Sequence, residues 1–80
     1  MWIRSQDRRS LLNVNLVRIR DCGDRCLMIG ALDRYEYELG LYSTKEKALS
    51  VLDDIQFQVK YFDPDTPLFY EMPKDEEVEV

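Results

Sequence analysis

Hydrophobic and polar residues alternate along the first half of the chain with the period of β-strands. The strand-like segments lie at residues 2–5, 11–20, 26–31 and 35–42. The segment 35–42 is the clearest, because two tyrosines and two leucines alternate there with glutamate or glycine and so share one face. A short connection separates it from the segment before it, so we expect these two strands to pair antiparallel.

The segment at residues 11–20 changes phase halfway along its length. Up to Leu16 the apolar residues that alternate with asparagine lie at even-numbered positions, whereas Val17 and Ile19 lie at odd-numbered ones. Such a change indicates a β-bulge or a bend near Leu16. The alternative is a strand that is buried on both faces.

Helical periodicity begins after residue 43. Ser43 to Glu46 match a capping box with Ser43 as the N-cap residue. The apolar stripe that follows contains Ala48, Leu49, Leu52, Ile55, Val59 and Phe62. Asp63 is expected to end the helix, because a residue that precedes proline disfavours the helical conformation.

A last strand is predicted at residues 68–72, where Pro73 ends it. The element order β-β-β-β-α-β predicts an α+β fold, with a small antiparallel sheet of about five strands and one helix packed across one face. A chain of 80 residues has room for one domain, which we place at residues 1–72. Residues 73–80 are mostly acidic and are expected to form a solvated tail.

The composition narrows the class of function. The chain has no histidine, the side chain that most often serves as general base or metal ligand. Cys22 and Cys26 lack the two further soft ligands of a zinc site, so free thiols are expected, with a zinc or disulfide site shared by a dimer as the alternative. No catalytic triad or phosphate-binding loop can be assembled. We expect a protein that is not an enzyme and holds no metal or cofactor.

The net charge and the hydropathy of the chain indicate which binding partners and which cellular location to expect. The formal net charge of −5 at pH 7 argues against stable binding to nucleic-acid phosphates. No apolar run approaches the roughly 20 residues that span a bilayer, and residues 1–7 lack the pattern of a secretory signal. We therefore expect a cytoplasmic protein that binds neither membrane nor nucleic acid.

Arginines are concentrated near the start of the chain, where the first 25 residues carry six of them against three acids. Arg18 and Arg20 share one strand face, and Trp2 and Arg4 share a face of what we take to be the neighbouring strand. Guanidinium groups suit phosphate and an indole can stack on a base, so these four residues form a candidate site for a small anionic ligand. The alternatives are a contact with a protein, or a solvated face paired with Glu36 and Glu38.

Aromatic residues form a second group of candidates, with five tyrosines, three phenylalanines and one tryptophan. Phe57 lies off the apolar stripe of the helix, and Tyr61 follows it by about one turn, so the two can form a separate patch. Together with Phe69 and Tyr70 of the last strand they are the candidate interface for a partner protein. The alternative is that the core between sheet and helix absorbs these side chains.

Three strings support a resemblance: MWIRSQD at residues 1–7, LGLYSTKEKA at residues 39–48 ahead of VLDDIQ, and MPKDEE at residues 72–77. The chain resembles, over nearly its whole length, a family of small uncharacterised proteins from Gram-positive bacteria, their prophages and their phages. This resemblance implies a bacterial cytoplasmic location and a place on a mobile element. It supplies no site residues, since no activity is established for the family.

The leading hypothesis from the sequence is a non-catalytic, homo-oligomeric binding protein. It would act as a counter-defence factor of a mobile element that sequesters a nucleotide-like anion on its arginine face. The alternative is an inhibitor or adaptor that occludes a host protein through exposed aromatic residues and an acidic surface.

Overall fold

The computed structural model describes residues 1–61 and 69–79. The elements are β1 (Trp2–Arg4), β2 (Leu11–Asn13), β3 (Leu16–Cys22), β4 (Arg25–Leu32), β5 (Tyr35–Tyr42), α1 (Lys45–Lys60), β6 (Phe69–Glu71) and a short 3₁₀ helix (Asp75–Glu77). The α+β fold class is confirmed. Over these two ranges, no helix is long and apolar enough to cross a membrane.

The strands are divided between two sheets of three strands each. Sheet A has the order β2-β1-β6, and sheet B is the antiparallel meander β3-β4-β5. The predicted single sheet of about five antiparallel strands is therefore only roughly matched. In sheet A, β6 runs parallel to β1, with Phe69 opposite Trp2. A parallel neighbour needs a crossover connection, and α1 lies in the connection that brings the chain back to the side of β1 opposite β2.

The change of phase in residues 11–20 marks the point where the chain passes from sheet A to sheet B. There the Val14 amide donates to the carbonyl of Met1, and the next amide, of Asn15, donates to the carbonyl of Ala31 on β4, both at 2.9 Å. The predicted bend is present, and it divides one predicted strand into β2 and β3.

A β-bulge lies in β5 rather than near Leu16. The register between β4 and β5 shifts between Met28 and Ile29. The shift changes the alternation along β5, so that Leu39 and Tyr42 are both buried while Leu41 is exposed. The prediction that Leu39 and Leu41 point to the same face is therefore wrong.

One side of α1 packs on the inner face of sheet B. The buried residues of this side are Ala48, Val51 and Ile55. Leu49 and Val59 belong to the predicted stripe but are exposed, because Leu49 lies about 100° around the helix from Ala48 and Val59 borders an open cleft. Phe62 and the predicted helix end at Asp63 lie outside the described residues.

The segment after β6 packs against the start of α1, whereas the sequence predicts a solvated tail. The Asp75 carboxylate accepts hydrogen bonds from the amide of Ser43 at 2.8 Å and from its hydroxyl at 3.1 Å. The ammonium group of Lys47 lies 3.6 Å from the same carboxylate. These contacts hold an acidic segment on the domain because its charge meets donors at a helix N-terminus.

The N-cap of α1 is Thr44, so the predicted N-cap Ser43 is one residue too early. The Thr44 hydroxyl oxygen accepts from the Lys47 amide at 3.1 Å. The hydroxyl of Ser43 donates to Asp75 instead, a contact between distant parts of the chain that no local sequence pattern contains.

Gln6 joins the end of β1 to the outer edge of β5. Its backbone amide donates to the carbonyl of Leu39 at 2.7 Å. Its side-chain amide pairs with Leu41 in both directions, accepting from the amide at 2.9 Å and donating to the carbonyl at 3.0 Å. The same nitrogen reaches the carbonyl of Pro73 at 3.3 Å, so one side chain ties three segments together.

The sheets also meet at Gly30 of β4. A Cβ atom at this position would lie 2.8 Å from the Val14 side chain and 3.1 Å from that of Leu39. Only a residue without a side chain lets the bend at Val14 pack directly on β4. The hydrophobic core is therefore continuous between the two sheets and α1.

We predict that Gln6→Glu lowers the free energy of unfolding by about 1–3 kcal/mol, because a carboxylate would replace the donor that faces two carbonyl oxygens. Urea denaturation at neutral pH measures the change. Gln58→Glu makes the same charge change at an exposed position of α1 and should alter stability by less than about 0.5 kcal/mol. Equal stability of the two variants would contradict the role given to Gln6.

The contacts of Asp75 predict a dependence on pH. The Ser43 amide, then the Ser43 hydroxyl and Lys47, hold the pKa of the Asp75 carboxyl below its usual value of 3.8. A carboxyl whose pKa is lowered by folding stabilises the protein above its unfolded pKa, and this stabilisation is lost as the pH falls through its folded pKa. Wild type should therefore be more stable than Asp75→Asn at pH 7, and the difference should shrink below about pH 4.

Thermal denaturation across this pH range measures the effect. Glu79→Gln changes the same charge at an exposed position of the same segment and serves as the control. A difference between wild type and Asp75→Asn that stays constant down to about pH 2 would show that the Asp75 charge contributes nothing.

Candidate functional site

Arg18 and Arg20 lie on the outward face of β3, and both reach across β4 to Glu36 of β5. The Nε atom of Arg18 donates to a Glu36 carboxylate oxygen at 3.0 Å, and its Nη2 forms an ion pair with the same oxygen. The Nη2 atom of Arg20 lies 3.8 Å from the other oxygen. The hydrogen bond from Arg18, with the charges of both arginines, holds the pKa of Glu36 below its usual value.

The contacts of Glu36 agree with the alternative in which the arginines form a solvated face paired with glutamates. Glu38, the second predicted partner, forms no ion pair with any residue in the described ranges. Glu36 thus occupies one side of each guanidinium group, and an incoming anion would compete with it.

Trp2 and Arg4 lie on sheet A, away from this pair of arginines. The neighbours of β1 are β2 and β6, so the prediction that Arg4 lies on the strand next to Arg18 is wrong. The Nε atom of Arg4 donates to the carbonyl of Arg8 at 2.9 Å. The four predicted ligand residues therefore form two pairs on two different sheets, because the chain bends between β2 and β3.

The outer face of sheet A instead brings residues of both predicted sites together. Trp2 is 46% exposed and lies opposite Phe69 of β6, which is 45% exposed. Arg4 lies opposite Leu11 of β2 in the next row of the same face, and both are exposed. We call these four residues, Trp2, Arg4, Leu11 and Phe69, the sheet A patch.

Tyr70 faces the other way from its neighbour on β6. Its side chain packs against the core, opposite Ile3 in the strand register. Burial, followed by the charge of Asp54 and a hydrogen bond to it, raises the pKa of the Tyr70 hydroxyl to about 12. Tyr70 thus links β6 to α1 and does not belong to an exposed surface.

Phe57 and Tyr61 form an exposed aromatic pair on α1. Their ring centroids are 4.6 Å apart with an interplanar angle of 44°, and the residues are 59% and 63% exposed. Phe57 lies about 180° around the helix from the buried Ala48. The predicted second patch is therefore on the solvent side of α1, and the core does not absorb it.

An open cleft of about 450 Å³ lies between the start of β3 and the second half of α1. Its apolar lining includes Val14, Leu16, Val17, Leu52, Ile55 and Val59. This cleft is not among the features predicted from the sequence. Two features of the sequence could have indicated it: the change of phase at Leu16, and the apolar helix stripe that continues to Val59. The lining suits apolar groups rather than phosphate.

The two cysteines are the remaining candidates for chemistry among the described residues. Cys22 is an exposed and Cys26 a buried free thiol. The Cys26 thiol donates to Asp21 at 3.3 Å, and burial, with this contact, raises its pKa, which disfavours the reactive thiolate. Residues 1–61 and 69–79 contain no group of three metal-ligating side chains.

The shared carboxylate predicts how the arginine face responds to anions. Glu36→Gln should strengthen the binding of pyrophosphate, because the wild-type carboxylate competes for both guanidinium groups. Titration followed by the NMR signals of the arginine Nε–H groups measures the affinity. Glu38→Gln, with the same charge change on the same strand, should have the smaller effect. Wild-type binding as tight as that of Glu36→Gln would overturn the prediction.

Comparisons of the chain with models of protein families, with curated proteins and with solved structures found no match. The resemblance to small proteins of Gram-positive bacteria and their phages stays a prediction.

Proposed function

We propose that the protein is a non-catalytic binding protein that contacts a partner protein through the sheet A patch. The observation that carries this proposal is the placement of Trp2, Arg4 and Phe69 side by side on one exposed sheet face. Tryptophan and arginine are the residues most enriched where binding energy concentrates in protein interfaces. Exposed apolar patches rimmed by polar groups are typical of such sites.

The rim of the patch is polar and already ordered. Arg8 forms an ion pair of 3.1 Å with Glu71, which lies beside Arg4 in the β1–β6 register. The Nε atom of Arg4 is held by the Arg8 carbonyl, which fixes the direction of its guanidinium group. A patch whose charged side chains are ordered before binding loses less conformational entropy when a partner covers it.

Sequestration of a nucleotide-like anion has weaker support. That hypothesis needs Trp2 and Arg4 next to Arg18 and Arg20, but these pairs lie on separate sheets. Glu36 also competes for the two arginines of β3. Because the resemblance implies a bacterial host, we propose that the partner is a host protein and that the binding serves counter-defence.

The single tryptophan makes the patch directly observable. Site-specific photocrosslinking from position 2 or 69 in a bacterial host should give one discrete adduct, and Arg4→Ala should weaken it. Adding the captured protein should shift the Trp2 emission to the blue and protect it from quenching, because the partner excludes water from the indole.

A photocrosslinker at Tyr35 is the control, because this residue is 63% exposed and lies on sheet B. The proposal fails if position 35 gives the same adducts as positions 2 and 69. It also fails if the captured protein leaves the Trp2 emission unchanged.

A further inference from the structure

We infer that the outward face of α1 is a homodimer interface, in which a second copy of the chain packs antiparallel on the first around Phe57. This surface is separate from the sheet A patch. The observation behind the inference is the arrangement of charged groups and a hydroxyl group around the exposed aromatic pair. When two copies of this surface face each other, each donor of one copy meets a carboxylate of the other.

The helix geometry places four exposed residues symmetrically about Phe57. Asp53 lies one turn before it and Tyr61 one turn after it, about 40° to either side. Asp54 and Lys60 lie about 4.5 Å before and after it along the axis, about 60° to either side. All of these residues are exposed.

A two-fold axis that passes between the two Phe57 rings, perpendicular to both helices, reverses the direction along the helix and keeps the side. Lys60 and Asp53 lie on one side of Phe57, so Lys60 of one copy meets Asp53 of the second copy. Tyr61 and Asp54 lie on the other side, so the Tyr61 hydroxyl meets Asp54. Each pairing joins a donor to a carboxylate, and each occurs twice because the interface is isologous. The two Phe57 rings meet at the centre, where an interface is most desolvated.

A parallel arrangement of the two helices would bring like charges together, with Asp54 of each copy beside Asp53 of the other, and would leave Lys60 beside Tyr61 without a carboxylate. Like-charge contacts across an interface are strongly unfavourable. Charge complementarity therefore selects the antiparallel pair. It also favours a second copy over an unrelated helix, because one surface supplies both halves of every contact.

The charged groups that this pairing uses are not consumed within the chain. Lys60 and Asp53 form no ion pair with any residue in the described part of the chain. The Lys60 ammonium lies 5.6 Å from the Tyr61 ring, which places it at the edge of the aromatic pair. Asp54 contributes to the raised pKa of the Tyr70 hydroxyl, and a carboxylate can accept from a second donor as well.

The expected dimer is weak. A helix of 16 residues is about 24 Å long, and a single helix pair buries less than the area of about 1,600 Å² of a standard interface. The net charge of −5 on each copy adds repulsion that salt screens. We therefore expect a dissociation constant in the micromolar range or above, and we expect added salt to strengthen the association.

Sedimentation equilibrium of the full chain across the micromolar to millimolar range tests the inference. Wild type should show a monomer–dimer equilibrium. Lys60→Glu and Asp53→Lys should each raise the dissociation constant about tenfold or more, because each places like charges together. An equimolar mixture of the two variants should form a heterodimer, since its pairings join opposite charges again.

Lys45→Glu is the matched control, because it makes the same charge change at the far end of α1 and should leave the equilibrium unchanged. Phe57→Ser, a second variant at an exposed position, should be monomeric, and it keeps the inference testable should Asp53→Lys not fold. A monomeric wild type, equal effects of Lys45→Glu and Lys60→Glu, or a mixture without heterodimer would each overturn the inference. Trp2 emission should not respond to dimerisation, so the sheet A proposal is tested separately.

Discussion

The packing of Val14 on Gly30 is the contact on which the rest of the structure depends. Sheet A consists of strands of three residues, and a sheet this small is not stable alone. It becomes stable because the bend at Val14 brings its inner face onto β4, where Gly30 leaves room for the side chain. Gln6 joins the two sheets at a second place, because its side chain forms hydrogen bonds with the edge of β5. One core then serves both sheets and the helix.

This shared core determines which surfaces are left for binding. The inner faces of both sheets and one side of α1 are used for folding. The outer face of sheet A carries Trp2 and Phe69, the outer face of sheet B carries the Arg18–Glu36 pair, and α1 turns Phe57 to solvent. These three surfaces differ in chemistry: the first is aromatic and basic, the second is charged and internally paired, and the third is self-complementary. A rigid core keeps them in fixed positions, which limits the entropy lost on binding.

Local patterns in the sequence predicted the local features of the fold. The alternation in β5, the helical stripe and the change of phase near Leu16 depend on near neighbours in the chain, and they located most elements. The pairing of Phe57 with Tyr61 followed from helical spacing, whereas the exposure of the pair did not, because a core that absorbs both rings was the alternative. The bulge at Leu39 was not predictable from local spacing, because glutamate and tyrosine alternate without interruption up to it. The register shift depends on pairing with β4.

Features that join distant parts of the chain were not predictable from one sequence. The role of Gly30 depends on Val14, which reaches it only after the chain bends. The position of Asp75 on Ser43 displaced the predicted N-cap by one residue. The four predicted ligand residues are divided between two sheets for the same reason: strand faces follow from parity, but which strands are neighbours follows from topology, and β1 pairs with β6 rather than β3.

Native-state hydrogen exchange of two backbone amides tests most directly whether the sheets form one cooperative unit. The Gln6 amide donates to Leu39 of sheet B, and the Asn15 amide donates to Ala31 of β4. If the sheets depend on each other, both amides should exchange with the same opening free energy as the most protected amides of β4, the free energy of global unfolding. Exchange of Gln6 and Asn15 through a much smaller opening, with β4 still protected, would show that sheet B is stable without sheet A.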